Sequence, residues 1–424
     1  MLKKKLGICS GAVALALSIP AHAATPGQAI ISWMETDFAI IEIDQAATSY
    51  KSLVTVKDFA EVPVTWDRWS GESAEKWRVL LNGVVVHEEA VSPTASQKAS
   101  TVLQVRQGGQ YEMTVELCNG SGATEECSTS AAKAIVVADT DGSHLDPLPM
   151  NVDPANGNYT TPDGMVSGAY FVEWGVYGRK FAVDQIPAQN LTHILYGFVP
   201  ICGPNPSLGE IENCNSLSAL YRACAGTPDY EVVIHDPWAA VQMPQPQSGH
   251  SFSTPYKGTY GQMMALKQRY PDLKIVPSIG GWTLSDPFYD FVDKSKRDIF
   301  VASVKQFLKT WKFYDGVDID WEFPGGDGAS ATGGDPVNDG PAYVALMQEL
   351  RAMLDELSAE TGKSYELTSA IGSGYDKIED VDYAAASQYM DYIFAMTYDF
   401  YGGWNNVVGH QTALNCGTHI DRKS

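Results

Sequence analysis

Six short apolar segments recur along the chain after about Val166, at residues 170–176, 192–198, 275–279, 316–321, 366–371 and 392–397. Runs of this kind are covered on both faces, so they predict buried strands of a parallel sheet rather than half-exposed alternating ones. Between them lie stretches with helical periodicity. Phe300, Val304, Phe307, Leu308 and Trp311 form one apolar stripe, and Tyr343, Leu346, Met347, Leu350, Leu354 and Leu357 form another. Strand–helix units in this order predict an α/β barrel of the TIM (β/α)8 type over 166–424, with about six strands present.

The first third has a different rhythm. Residues 29–33, 38–43, 62–69, 77–81, 84–87, 111–117 and 134–137 are short strand candidates, and Asn82-Gly83 is a strong hairpin signal. They predict an all-β, immunoglobulin/fibronectin-like sandwich over 24–137. Residues 138–165 are rich in Asp, Pro, Asn and Gly without periodicity and read as a linker.

Lys3-Lys4-Lys5, the apolar run to Pro20 and Ala21-His22-Ala23 make residues 1–23 a secretory signal peptide, too short to span a bilayer. The expected location is therefore extracellular, with passage through the periplasm. An exported chain can oxidise its cysteines. Cys118 and Cys127 flank a Gly/Ser-rich turn and are expected to bridge, with Cys202–Cys224 as the second pairing. Cys214 and Cys416 are left free or paired with each other. No cysteine or histidine spacing suits zinc.

The formal charge is −22, from 29 basic and 51 acidic residues. Nucleic acid and anionic membranes would be repelled by such a surface, so neither is an expected partner. Gly325-Gly326-Asp327-Gly328 lacks the Lys-Ser/Thr pair of a phosphate loop, and no redox or nucleotide cofactor is expected.

The chemistry is concentrated in Asp315-Gly316-Val317-Asp318-Ile319-Asp320-Trp321-Glu322. Side chains alternate along a strand, so Asp318, Asp320 and Glu322 share one face while Val317, Ile319 and Trp321 take the other. In a barrel that face points inward and rises to the C-terminal mouth, where active sites are built. Three carboxyl groups this close cannot all ionise cheaply, so one is expected to stay protonated near neutral pH and serve as an acid. Asp315 has the opposite parity and a supporting role. The alternative, a divalent metal site, is disfavoured because no His or Asn joins the cluster.

These residues carry a resemblance. Asp315-x-x-Asp318-x-Asp320-x-Glu322, Ser278-Ile279-Gly280-Gly281-Trp282 and Met396-Thr397-Tyr398-Asp399 resemble the motifs of the bacterial chitinases of glycoside hydrolase family 18, in the family's order. The resemblance extends to the leading sandwich and linker. It implies hydrolysis of β-1,4-linked N-acetylglucosamine polymers with retention and substrate assistance. By that resemblance Glu322 is the acid, Asp320 orients the acetamido group, Asp318 shares a proton with Asp320, and Tyr398 hydrogen-bonds the acetamido oxygen. Trp174, Trp282, Phe323, Met396 and Asp399 then line the sugar groove.

Trp66 and Trp69 cannot both face inward by strict alternation, so Trp33 and Trp69 are candidates for an exposed chitin-contacting strip. The expected partners are chitin and N-acetylglucosamine oligomers, with the chain a monomer. The family barrel has eight strands, so the sequence reads as truncated at its C-terminus. The alternatives are a catalytically impaired chitin-binding fragment and an endo-β-N-acetylglucosaminidase acting on glycans.

Overall fold

The computed structural model describes residues 23–413 apart from positions 93, 95, 246–248, 252 and 253. The signal-peptide segment, except Ala23, and the segment holding Cys416 lie outside the described residues. The chain divides into two units. The first comprises residues up to Thr36, Glu61–Gln104 and Tyr111–Ile135; the second comprises Asp37–Ala60, Val105–Gln110 and everything from Val136 on.

The first unit is a two-sheet β structure. One sheet runs through Ile30–Ile31, Ala60–Arg68 and Gln97–Val105. The other contains Lys76–Leu81, Val84–Ala90, Gly109–Asn119 and Glu126–Thr129, with antiparallel neighbours. Alternation along Ala60–Arg68 buries Val62, Val64 and Trp66 while the residues between them face out. Trp66 meets Trp77 of the other sheet with ring centroids 5.6 Å apart, which fixes the core between the two sheets. Asn82 and Gly83 have φ of 48° and 77°, the left-handed pair that a tight two-residue hairpin requires. Cys118 and Cys127 are register partners on adjacent strands and are bridged.

The sandwich expected over 24–137 is not one continuous block. Asp37–Ala60 and Val105–Gln110 belong with the second unit. Local alternation identifies a strand near Ile41 but not the core that receives it. The Tyr256 hydroxyl donates to Ile41 O at 2.6 Å, and Trp311 Nε1–H donates to the Tyr50 hydroxyl at 3.2 Å. The supposed linker is also an anchored strap at its start. Asp139, Thr140, His144 and Leu148 are buried; Thr140 Oγ1 donates to Thr310 O, and Asp139 pairs with Lys312 at 2.7 Å. Its polar composition resembles a linker because the contacts that anchor it, Thr140 to Thr310 and Asp139 to Lys312, come from partners distant in sequence.

In the second unit six strands form one parallel sheet in sequence order. They are β1 (Gly168–Val172), β2 (His193–Val199), β3 (Lys274–Gly280), β4 (Gly316–Asp320), β5 (Glu366–Gly372) and β6 (Tyr392–Met396). The interposed helices include α1 (Cys214–Ala223), α2 (Gly258–Arg269), α3 (Lys294–Thr310) and α4 (Asp339–Thr361). Both apolar stripes seen in the sequence are buried on α3, its following turn and α4. This is the strand order and layering of a TIM-type barrel. Two boundaries differ from the sequence reading. β1 stops at Val172, and Trp174 stands on the tight turn Glu173–Val176; β4 stops at Asp320, so Trp321 and Glu322 continue beyond the ladder.

Asp315, at the base of β4, takes the helix side as its parity requires. Its carboxylate meets Lys267 of α2 at 2.7 Å and Lys363 at 3.0 Å, and accepts the Ile275 N–H at 2.8 Å. Asp315→Ala strands two partly buried ammonium groups and is expected to destabilise the second unit by about 3 kcal/mol. A fall in that unit's calorimetric transition checks this, and an unchanged transition would show the ion triad to be dispensable.

Candidate active site

The parallel register places Ser278 of β3, Asp318 of β4 and Thr368 of β5 side by side in one layer. Neighbours in register point to the same face, so both hydroxyls reach the carboxylate between them. Thr368 Oγ1 donates to Asp318 Oδ1 at 2.6 Å and Ser278 Oγ donates to Oδ2 at 2.7 Å. The Tyr170 hydroxyl of β1 adds a third bond to Oδ2 at 3.1 Å. Burial pushes the Asp318 pKa up, and these three donors oppose that shift.

Asp320 lies one layer higher and is treated differently. It is buried, and its Oδ1 has no hydrogen-bond partner. Burial, then the charges of Glu322 and Asp318, raise its pKa well above the carboxylate range. A buried polar atom without a partner is rare in a folded chain. Glu322 stands just past the strand end. Burial, then the charge of Asp399, push its pKa up to about 7. Both carboxyl groups are thus pushed toward their protonated forms.

The β3 end shapes the mouth. Gly280 has φ of +108°, and a Cβ there would lie 2.3 Å from Asp320 O, so only glycine fits. Gly281 N–H donates to that same carbonyl at 2.8 Å, turning the chain so that Trp282 emerges half-exposed. Trp282 meets Phe323 edge-on at 6.3 Å. Beside them opens a cleft of about 910 Å³ walled by Trp174, Phe198, Trp238, Trp282 and Leu284. Glu173, next to Trp174, is buried and accepts from the Tyr196 hydroxyl at 2.6 Å; burial pushes its pKa up to about 8.

From β6 come Met396, at the strand end, and Tyr398 and Asp399 just beyond it. Tyr398 is half-exposed, and burial together with the charges of Asp320, Glu322 and Asp399 raises its pKa to about 12. The structure thus gathers Asp318, Asp320, Glu322, Tyr398 and Asp399 at one mouth, with Trp174, Trp282, Phe323 and Met396 on second-unit segments at or beyond strand ends. Trp33 and Trp69 belong to the first unit and are 87% and 78% exposed, whereas Trp66 is buried.

Sequence reasoning missed Tyr170, Thr368, Ser285 and Tyr289, and gave Ser278 no role although it lies in the third-strand motif. Only the strand register could have linked Ser278 and Thr368 to Asp318. Among the described residues the one trio of potential ligands within 4.8 Å is Glu116, Cys118 and Cys127, whose sulfurs are joined to each other.

A carboxyl with a pKa raised to about 7, in the same strand-end cluster as a buried carboxyl oxygen lacking a partner, can donate a proton to a bound neutral ligand. Residues 166–423 match the model of "Glycosyl hydrolases family 18", and residues 23–163 match "Chitinase A, N-terminal domain". The chain belongs to glycosyl hydrolase family 18. It is 58% identical over 98% of its length to a Chitinase A of Pseudoalteromonas piscicida, and spans 50% of that protein. It is 48% identical over 92% of its length to a chitinase of Autographa californica nuclear polyhedrosis virus, covering 69% of it. Among solved structures it resembles the catalytic domain of psychrophilic chitinase B from Arthrobacter TAD20, with a TM-score of 0.52 and 29% identity over 60% of this chain and 63% of that one.

The raised pKa of Glu322 has a consequence for stability. A carboxyl whose folded pKa exceeds its unfolded value binds more protons when folded, so stability is lost as pH rises from about 4.5 to about 7. Glu322→Gln removes this penalty and is expected to stabilise the second unit by about 1–3 kcal/mol at pH 8 and by much less at pH 4. Melting curves at the two pH values measure it. Equal shifts at both would show that Glu322 carries no raised pKa.

Proposed function

We propose that the chain is a secreted chitinase that hydrolyses β-1,4 bonds between N-acetylglucosamine units with retention and substrate assistance. The observation that carries this is Glu322, with its pKa near 7, standing beside the unpartnered Oδ1 of Asp320. In this reading the Glu322 carboxyl gives its proton to the glycosidic oxygen as the C1–O bond breaks. The substrate's acetamido oxygen closes on C1, forming an oxazolinium ion. Asp320 Oδ1 accepts the acetamido N–H and balances the positive charge, and the Tyr398 hydroxyl donates to the acetamido oxygen.

Glu322, now a carboxylate, takes a proton from water as its oxygen attacks C1 from the opposite face. The acetamide reopens, and the configuration is retained overall. Asp318, held by three hydroxyls, supplies the negative field that keeps a proton on the pair above it. Without an N-acetyl group the substrate offers no nucleophile, which restricts the sugar.

The remaining assignments belong to the same proposal. Trp174, Trp282, Phe323, Met396 and Asp399 line the sugar groove. The leading unit is an immunoglobulin/fibronectin-type sandwich on which Trp33 and Trp69 contact solid chitin. Residues 1–23 direct export, and the mature chain acts as a monomer. Support for polymer over glycoprotein glycans comes from those two indoles, since side chains so exposed have no core role.

Glu322→Gln is expected to reduce hydrolysis of a soluble N-acetylglucosamine oligomer by about 10²–10⁴-fold while leaving oligomer binding intact. The rate of the unaltered chain should fall as pH rises through about 7, because the acid is then deprotonated. Undiminished hydrolysis by the variant would remove Glu322 from the acid role; sugar release from a glycoprotein but not from chitin would favour the endoglycosidase reading. Trp69→Ala should weaken attachment to crystalline chitin severalfold without affecting soluble oligomers, as sedimentation with chitin powder would measure. Equal losses on both substrates would count against a surface strip.

A further inference from the structure

The β3–β4 ladder ends at the pair Gly280–Asp320, so Glu322 has left the sheet and has no ladder partner. Its main chain is held instead by the short helix Asp286–Val292 and the residue before it. Ser285 Oγ accepts the Glu322 N–H at 2.9 Å, and Ser285 is itself buried. The same hydroxyl donates to Gly281 O at 2.9 Å, with Asp320 O at 3.2 Å as the other acceptor within reach. On the other side of the residue, the Tyr289 hydroxyl donates to Glu322 O at 3.3 Å. Between these two, Phe288 stacks on Trp321 at 5.5 Å with planes 15° apart, while the Tyr289 ring meets Trp321 edge-on at 5.9 Å.

Both peptide groups of Glu322 are therefore gripped by hydroxyls from one turn of chain, and the preceding indole is packed under that turn. We propose that Ser285 and Tyr289 form a clamp that positions the Glu322 carboxyl through its backbone. They are positioning residues and touch no substrate. The clamp replaces the ladder at the point where the sheet gives out. Through Gly281 it also ties the acid to the loop that carries Trp282. The proposal rests on the acid role given to Glu322 above. Its physical basis is that a misplacement of about 1 Å at a reacting group costs about 10²-fold in rate.

The test uses Ser285→Ala and Tyr289→Phe, each of which deletes one hydroxyl, together with Ser285→Thr, which keeps it. With a soluble N-acetylglucosamine oligomer, each deletion is expected to lower kcat by about tenfold or more while KM stays within about twofold, and Ser285→Thr should recover most of the loss. The Glu322 carboxyl is followed in parallel by NMR of 13C-glutamate-labelled chain, its resonance being the one missing from Glu322→Gln. Its titration midpoint, about 7 in the intact clamp, should fall toward the ordinary carboxylate range when loosening admits water.

Unchanged kcat in both deletions, or lowered melting temperature with an unmoved midpoint, would overturn the clamp. If the unaltered chain fails to hydrolyse the oligomer, the chitinase reading is what fails. The midpoint then decides alone: a fall in the deletions supports the clamp, and no movement overturns it.

Discussion

Taking a carboxylate out of water is expensive unless donors surround it or a proton stays on it, and β4 with the two residues after it places three carboxyl groups where both remedies are needed. Asp318 receives the first remedy, from Ser278, Thr368 and Tyr170. Asp320 and Glu322 receive the second. The donors are spent on the lowest carboxylate, and burial with neighbouring charge pushes the upper two toward their protonated forms. The hydroxyls thus favour the charged form of Asp318 alone among the three. Their placement depends on parallel register, which brings residues 278, 318 and 368 into one layer although they are far apart in sequence.

The helix side of the same strand meets the opposite demand. Val317, Ile319 and Trp321 are fully buried against apolar neighbours, and Asp315 is neutralised by two lysines. Strand β4 is therefore fixed from outside by packing and at its base by charge. Strain-free placement of its polar face is left to small residues: Gly280 admits the Asp320 carbonyl, and at Gly316 a Cβ would lie 2.1 Å from Glu366 O. Gly316 inside the acidic motif and Gly280 on the neighbouring strand are thus conditions for close strand approach.

Much of this was legible in advance because it is periodic. Two-residue alternation put Asp318 and Asp320 on one face, and the apolar stripes on α3 and α4 were complete in the sequence. Trp66 and Trp69 were separated by parity alone, one buried and one exposed. Other features were hidden. The strand at Gln97–Val105 has only a thin apolar face, and Asp139, Thr140 and His144 look like linker residues until their buried partners are known. The turn at Glu173–Val176 continues an apolar run, and no local signal separates it from β1.

The sequence by itself determined the alternation of strands and helices, the shared face of Asp318 and Asp320 and the family to which the motifs point, since each is a property of spacing along one segment. Tertiary structure decided which hydroxyls reach Asp318, which acceptor on Asp320 stays empty, and which turn holds Glu322 once the ladder ends. It also drew Asp37–Ala60 and Val105–Gln110 into the second unit. Those outcomes depend on residues dozens to more than a hundred positions apart arriving at one place. Periodicity carries no information about such meetings, because the register of parallel strands is set by packing across the whole sheet.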